Sequence, residues 1–471
     1  LGYTYDGKMV RIYWNGVLIS EEEKGWNTVP GMAEIGRRVG ANSFKGAIDE
    51  VSVYNKALTE DEIRRDCRRN DPTGTTCPDP KSPIILMPTL NLPLPPTKAL
   101  FAWRSEKDPV GKLMYPDLNY DVRFDRDDNN NGIFTDANFD RMNMEPLSEP
   151  KKNSLGSWYY VEERNPAVIT TSRGYRLRIC PSGTGCAISN DTDPQRATRT
   201  FSTLGSGSAS WWSFDEASGA AVDSIGTING QLVNELGRTT GINGSALSLD
   251  DWNDYVNLSD APDLRFDNGS SFMIEGWVRR NSIDSSTDET IFSKMDMTYP
   301  SGTGYYFAIH SGGNIGNDRV PDTLDFIMRQ QNSNTQLMIE VGTEATIADT
   351  NWHHVAVSYT GSVLVKASSI RLYMDGQPQR VITFKDDTLG SVNTLAEARI
   401  GASRRWCDYR FEDCSGVATS YDNVFNGLID EVMVVQDDLN PSNLSPAVIC
   451  NSYLTTCLAA GLSCDFSCVP Q

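Results

Sequence analysis

The chain is 471 residues long, 39% hydrophobic and 22% charged, with a formal net charge of -20 and a pI near 4.6. That length holds about two to four domains. A negative field of this size repels nucleic acid and anionic lipid headgroups, and no apolar run reaches the roughly 20 residues needed to cross a bilayer, so neither nucleic-acid binding nor membrane insertion of this segment is expected. The acidity suits a soluble extracellular protein, whether it serves calcium uptake or only solubility.

In chain order, the first strong element is Val10-Arg11-Ile12-Tyr13-Trp14, an alternating run that meets Asn15-Gly16. A β-rich run closed by Asn-Gly or Asp-Gly is the strongest short hairpin signal. The segment FKGAIDEVSVYNKALTEDEI, Phe44 to Ile63, predicts a strand apolar on both faces, then a short helix with Thr59 as N-cap. From Pro83 to Leu94 prolines break an apolar stretch, which reads as an extended linker. Strand candidates at Ala99 to Trp103, Tyr120 to Phe124, Ser157 to Val161 and Gly174 to Ile179 predict a sandwich over 78–205 that resembles immunoglobulin or fibronectin-III domains, without a diagnostic motif. The flexible stretch Gly205 to Ser210 precedes WWSFDEASGAAVDS, GSALSLDDWNDYVNLSD and FMIEGWVRR, which start at Trp211, Gly244 and Phe272. IFSKMD, YYFAIH, LDFIMR and NWHHVAVSY follow, short strands divided by turn residues, as in an all-β sandwich. Ile370 to Met374 then meets Asp375-Gly376, and FNGLIDEVMVVQDDLNPSNL, Phe425 to Leu444, ends with Asn440 as a helix N-cap.

The last two segments repeat the first two. YTYDGKMVRIYWNG is answered by VSYTGSVLVKASSIRLYMDG, AEIG at Ala33 by ARIG at Ala398, and the Phe44 segment by the Phe425 segment. Cys67 and Cys77 correspond to Cys450 and Cys457. Four segments in one order define an internal repeat. The second copy carries a front half, opening at Trp211 and running up to the repeated segment, that the first lacks.

The ten cysteines fall into close pairs: Cys67/Cys77, Cys180/Cys186, Cys407/Cys414, Cys450/Cys457 and Cys464/Cys468. None has Cys-x-x-Cys spacing, and three histidines are too few for Cys/His zinc sites. Five local disulfides are expected, and with them an oxidising compartment outside the cell or at its surface.

The ordered motifs resemble a known family. Trp212, Phe214, Asp215, Glu216, Ser218 and Gly219 match its opening W-x-F/L-D-E-x-S-G element, and Phe272, Ile274, Glu275, Trp277 and Val278 match its F-x-I-E-x-W-V strand. Trp352 to Val355 and Gly427 to Val432 match its W-H-H-V and G-x-I-D-E-V strands. The chain is similar to the laminin-G-like jelly roll of the concanavalin-A-like lectin/glucanase superfamily. The resemblance implies an all-β chain of tandem sandwiches: the back half of one jelly roll over 1–77, an immunoglobulin- or fibronectin-like domain with its linker over 78–205, a complete jelly roll over 206–457, and a Cys-containing tail over 458–471. A half jelly roll exposes sheet edges, so either a longer chain or strand exchange with a neighbour is expected to complete the first copy.

Candidate sites follow from residue chemistry. In DRDDNNNGIFTD, Asp127, Asn129 and Asn131 alternate before Gly132 as in a calcium-binding EF-hand loop, but Asn138 stands where that loop has its bidentate glutamate, so Asp136 or Asp140 would have to substitute. A polar hairpin turn explains the same residues. The resemblance implies a structural calcium on Asp215, Asp250, Asp254 and Asp430; hydrogen bonds to backbone amides or to Arg399 are the competing reading of these buried acids. Glucanase chemistry needs alternate carboxylates, as in E-x-D-x-x-E, on one strand face. Here Glu275 stands alone, and strict alternation puts Asp430 and Glu431 on opposite faces, so no enzyme is expected. Sugar binding needs aromatic faces beside polar groups. Trp252, Trp406 and Tyr409 are the candidates, the latter two in an insert, Arg404 to Asn423, pinned by Cys407/Cys414. The expected role is structural or adhesive, at a cell surface or in a filament or matrix. Its partners would be other copies of itself, other surface proteins or glycans. A lectin-type carbohydrate-binding module is the alternative.

Overall fold

A computed structural model of the protein describes residues 1–14, 17–25, 35, 43–48, 51–58, 63 and 67, the strands between 84 and 203, and 209–468 except for short loops and the stretches 311–319, 409–420 and 437–443. Among the described residues the chain is mostly β-strand; the longest described helix is Pro446–Ala459, and Ile63 and Cys67 are also helical. It divides into two compact units: Leu1–Ile84 with Arg104–Val122 and Ile179–Ala197, and Ile85–Trp103 with Arg123–Arg178 and Thr198–Gln471.

The complete sandwich lies in the second unit. One eight-stranded antiparallel sheet runs in the order Gly237–Thr240, Ser245–Asp250, Asn426–Gln436, Phe272–Arg280, His353–Tyr359, Ile370–Met374 and Gln377–Pro378, and Ala209–Trp212 also pairs with Asn426–Gln436. The other sheet runs Gln231–Val233, Tyr255–Asn257, Arg399–Ile400, Glu289–Met295, Gly304–Ile309, Thr323–Asn332, Thr335–Thr346 and Val381–Asp386. One core lies between them: Phe272, Ile274 and Val278 of the first sheet pack with Phe292, Phe307 and Phe326 of the second. The alternation that turns these residues inward turns Glu275 and Trp277 outward, toward the helix Pro446–Ala459, where Trp277 joins a smaller cluster with Tyr453 and Leu454.

The Asp375-Gly376 turn forms as the sequence predicts. Met374 pairs with Gln377, and both turn residues have positive φ, 49° and 75°. This is the type I′ geometry that matches strand twist. The Asp375 carboxylate accepts a hydrogen bond from the His354 amide at 3.0 Å.

Three sequence expectations change here. First, Asp430 and Glu431 do not alternate. Ile429 and Val432 both enter the core with two acids between them, and Glu431 takes φ +51°. The ladder with Phe272–Arg280 shifts register at this point. An extra residue at a bulge breaks the period of two, so both acids reach the Ile242-Asn243 turn. Second, a helix that the sequence did not reveal starts after Ser445, with Pro446 in a first turn where a missing N–H is harmless; the short helix expected from Asn440 begins at residues outside the described ones. Third, the C-terminal disulfides are Cys450–Cys468 and Cys457–Cys464, in place of the expected Cys450/Cys457 and Cys464/Cys468. Cys450 and Cys457 lie on one helix, where seven residues rise about 10.5 Å. A disulfide allows roughly 4.4–6.8 Å between Cα atoms, so the sequence neighbours cannot pair. Of the other three expected pairs, Cys67 is disulfide-bonded, and Cys180 and Cys407 lie on the strands Gly174–Pro181 and Cys407–Asp408. Their expected partners Cys77, Cys186 and Cys414 lie outside the described residues, so the pairs Cys67/Cys77, Cys180/Cys186 and Cys407/Cys414 remain expectations of the sequence.

In the first unit Gly2–Tyr5, Met9–Trp14 and Val17–Glu23 form an antiparallel sheet, with Trp14 opposite Val17 across Asn15-Gly16. The segment repeating the central strand of the sandwich is not a strand at its described residues. The middle of the chain holds a five-stranded sheet in the order Pro93–Leu94, Ala197–Thr203, Gly174–Pro181, Tyr120–Arg126 and Asp140–Met142, its first two strands parallel. No immunoglobulin- or fibronectin-type sandwich is shown among the described residues.

Candidate functional site

The loop residues Asp127, Asn129, Asn131 and Asp136 and the aromatics Trp252, Trp406 and Tyr409 lie outside the described residues. The four aspartates proposed to share a calcium are described, and each has its own setting. Asp430 Oδ2 accepts from the amides of Ile242 (2.9 Å) and Asn243 (3.3 Å), and Oδ1 accepts from the Glu431 amide (2.8 Å). Asp215 Oδ1 accepts from the Ser245 amide at 2.8 Å. Asp250 is exposed opposite Asn426, and Asp254 is buried. Among the described residues no group of three or more His, Cys, Asp or Glu side chains is arranged to hold a metal ion. Backbone amides, the competing reading, account for Asp430. Arg399 bonds Glu397 at 2.7 Å and lies 4.4 Å over the Tyr255 ring.

Two concave features among the described residues of the sandwich bear on function. An open groove of about 680 Å³ at the sheet rim is lined by Ser218, Asn229, Gln231, Leu232, Leu236 and Arg238, among others. The W-x-F-D-E-x-S-G element positions it, because Arg238 bonds Glu216 at 2.9 Å and the Gly219 and Ala220 carbonyls at 3.1 and 3.0 Å. Its volume is in the range of small-molecule sites, about 300–1,000 Å³. Amide and guanidinium groups beside two leucines present hydrogen-bond donors and an apolar surface together.

The second feature is a small, partly enclosed cavity of about 30 Å³ under the helix, lined by Trp211, Glu275, Trp277, His354, Glu431 and Asn451 among others. Burial pushes the Glu275 carboxyl up to about 8, helped by the Glu431 charge and opposed by a hydrogen bond from the Ser452 hydroxyl. Burial and Glu431 likewise raise Asp430 to about 8 against its three amide donors. Burial lowers His354 to about 4, with Asp375 working the other way. His354 Nε2 stands 3.6 Å from Glu275 Oε2, and its ring packs against Trp277. Near neutral pH the buried acids Glu275 and Asp430 and the histidine are therefore uncharged. Burial also opposes the charge on His353, but hydrogen bonds to Asp375 and Asp349 prevail and raise it to about 9. The two adjacent histidines point into different settings, as expected of a strand.

A family model for the concanavalin A-like lectin/glucanases superfamily matches residues 2–64 and 250–445. The chain belongs to this superfamily. The two matched segments correspond to the two copies of the internal repeat. Among curated protein sequences none matches the chain. Solved structures that resemble it include the binding domain of Paraclostridial Mosquitocidal Protein 1, with 15% identity, a TM-score of 0.34 and coverage of 52% of each chain. The botulinum neurotoxin serotype C1 binding domain has 15% identity, a TM-score of 0.33, and coverage of 52% of this chain and 51% of that one. The chain spans about half the length of these structures.

Sequence reasoning missed the grouping of Glu275, His354 and Ser452. One signal was available: FMIEGWVRR carries a glutamate in an otherwise core-like run, and a buried carboxyl requires a partner.

Proposed function

We propose that this superfamily chain is a recognition and assembly module of an extracellular structural or adhesive protein, acting without covalent chemistry. One contrast between the two repeat copies carries the reading. Val53 is 92% exposed, and Phe44, Ile48, Val51 and Tyr54 are also exposed. Their counterparts Val434, Phe425, Ile429, Val432 and Val435 are all buried, in a strand paired on both edges. An apolar segment open on its edges favours contact with another polypeptide. Light scattering and electron microscopy of the full chain test this. Concentration-dependent assembly that Val53→Asp weakens at least about tenfold, equal to about 1.4 kcal/mol, supports it; a monomer at all concentrations, unchanged by the substitution, sinks it.

The rim groove favours a second reading, a lectin-type module. Exposed Gln231 offers both a donor and an acceptor to sugar hydroxyls. Selective binding to one sugar class on a glycan array, lost in Gln231→Ala, would support this reading over the first.

A further inference from the structure

Four polar atoms of residues lining the cavity under the helix have no hydrogen-bond partner in the protein: Glu275 Oε2, Trp277 Nε1, His354 Nδ1 and Asn451 Oδ1. Each belongs to a residue at least 98% buried. Three come from the outer face of the first sheet and one from the helix above it. Buried polar groups are nearly always satisfied, by protein or by ordered water, so this concentration of buried, unmet groups around one small cavity marks a site.

The chemistry of the four atoms selects the occupant. The Trp277 ring nitrogen can only donate, and the Asn451 oxygen can only accept. Glu275 Oε2 and His354 Nδ1 take either role, according to where the proton sits. A metal cation would satisfy acceptors alone and would face the Trp277 N–H with positive charge. A simple anion would satisfy donors alone. Water both donates and accepts. A site for one water needs about 10–15 Å³ and two to four polar neighbours, so a cavity of about 30 Å³ suits about two molecules.

We propose that this cavity is an internal solvent site, in which about two ordered waters link Glu275, Trp277 and His354 of the sheet to Asn451 of the helix Pro446–Ala459. The waters give the helix a fixed polar register on the sheet, alongside the direct bond from Ser452 to Glu275. The packing of Tyr453 and Leu454 supplies the apolar part of the same contact.

A crystal structure of the full chain, at a resolution that shows other buried waters, is the direct test. About two solvent peaks at hydrogen-bond distance from these four atoms are expected. Featureless density in the cavity would overturn the proposal, as would a single peak at metal-ligand distance. In solution, oxygen-17 relaxation dispersion counts long-lived waters. Asn451→Leu, which removes the acceptor and fills space, should lose at least one relative to wild type. If that variant fails to fold, Trp277→Phe removes the N–H together with one of the two fused rings and should shorten the residence time of at least one. Unchanged dispersion in every folded variant counts against the site.

Discussion

Glu275 and His354 are near neighbours with opposite linkage to pH. Glu275 has a folded value of about 8 against an ordinary 4.5. Between those limits the folded chain holds more protons than the unfolded one, so the Glu275 contribution is full below about 4.5 and is lost as pH rises toward 8. His354, at about 4 against 6.5, works the other way: its contribution is present above 6.5 and is lost as pH falls toward 4. Gln keeps the shape of Glu275 and a donor for the cavity but has no proton to lose. Glu275→Gln should therefore gain melting temperature relative to wild type as pH rises from 5 to 8. Calorimetry at several pH values checks this, and parallel curves for the two proteins would mean that Glu275 titrates normally. At His353 the folded value of about 9 depends on Asp375 and Asp349. Asp375→Asn should lower it, with His353 then losing its proton at lower pH in an NMR titration; an unchanged titration would assign the shift elsewhere.

At the scale of elements, the Asp375-Gly376 turn was legible because its dipeptide demands one geometry, and the structure adds what the turn touches. A Cβ on Gly376 would lie 2.7 Å from a Tyr453 ring carbon and 3.2 Å from Cys468 Sγ, at a φ of +75°. Gly376→Ala should thus cost about 1–3 kcal/mol through strain and displacement of the helix. A denaturant midpoint unchanged from wild type would show that the turn is free of the helix. The bulge at Glu431 was not legible. A one-residue insertion reverses which side chains face the core, and glutamate gives no hint of a left-handed backbone, as glycine would. The helix Pro446–Ala459 was not legible for a related reason. PAVICNSYLTTCLA is rich in Ser, Thr, Val, Asn and Cys, all modest helix formers, so packing of Cys450, Tyr453, Leu454 and Cys457 against the sheet holds it. Without the helix, closeness in sequence was the only guide to disulfide pairing. Peptide mapping of unreduced protein should find Cys450 linked to Cys468 and Cys457 to Cys464; a Cys450–Cys457 link would require the helix to be absent.

At the scale of the whole molecule, the two repeat copies are a controlled comparison of one motif in two contexts. FKGAIDEVSVY and FNGLIDEVMVV share their apolar positions, so local propensity differs little between them. In the second copy the motif is the Asn426–Gln436 strand, hydrogen-bonded on both edges and covered on both faces. In the first, its described residues form no strand, and their apolar side chains face outward. The family motifs were therefore readable in both places, while the structure each adopts depends on partners that sequence periodicity does not register. Amide exchange follows local opening, which is rare where a ladder is paired and covered and common where it is not. The amides of Val432–Val435 should exchange at least about a hundredfold more slowly than those of Val51–Tyr54, a difference of about 2.7 kcal/mol in opening free energy. Hydrogen exchange read by mass spectrometry on the full chain at low concentration measures both segments in one sample. Under assembling conditions the gap should narrow, because a strand added to the first copy would protect Val51–Tyr54 and leave Val432–Val435 as they were. Equal protection of the two segments in the monomer would show that the first copy already has its cover and would remove the basis for assembly through it.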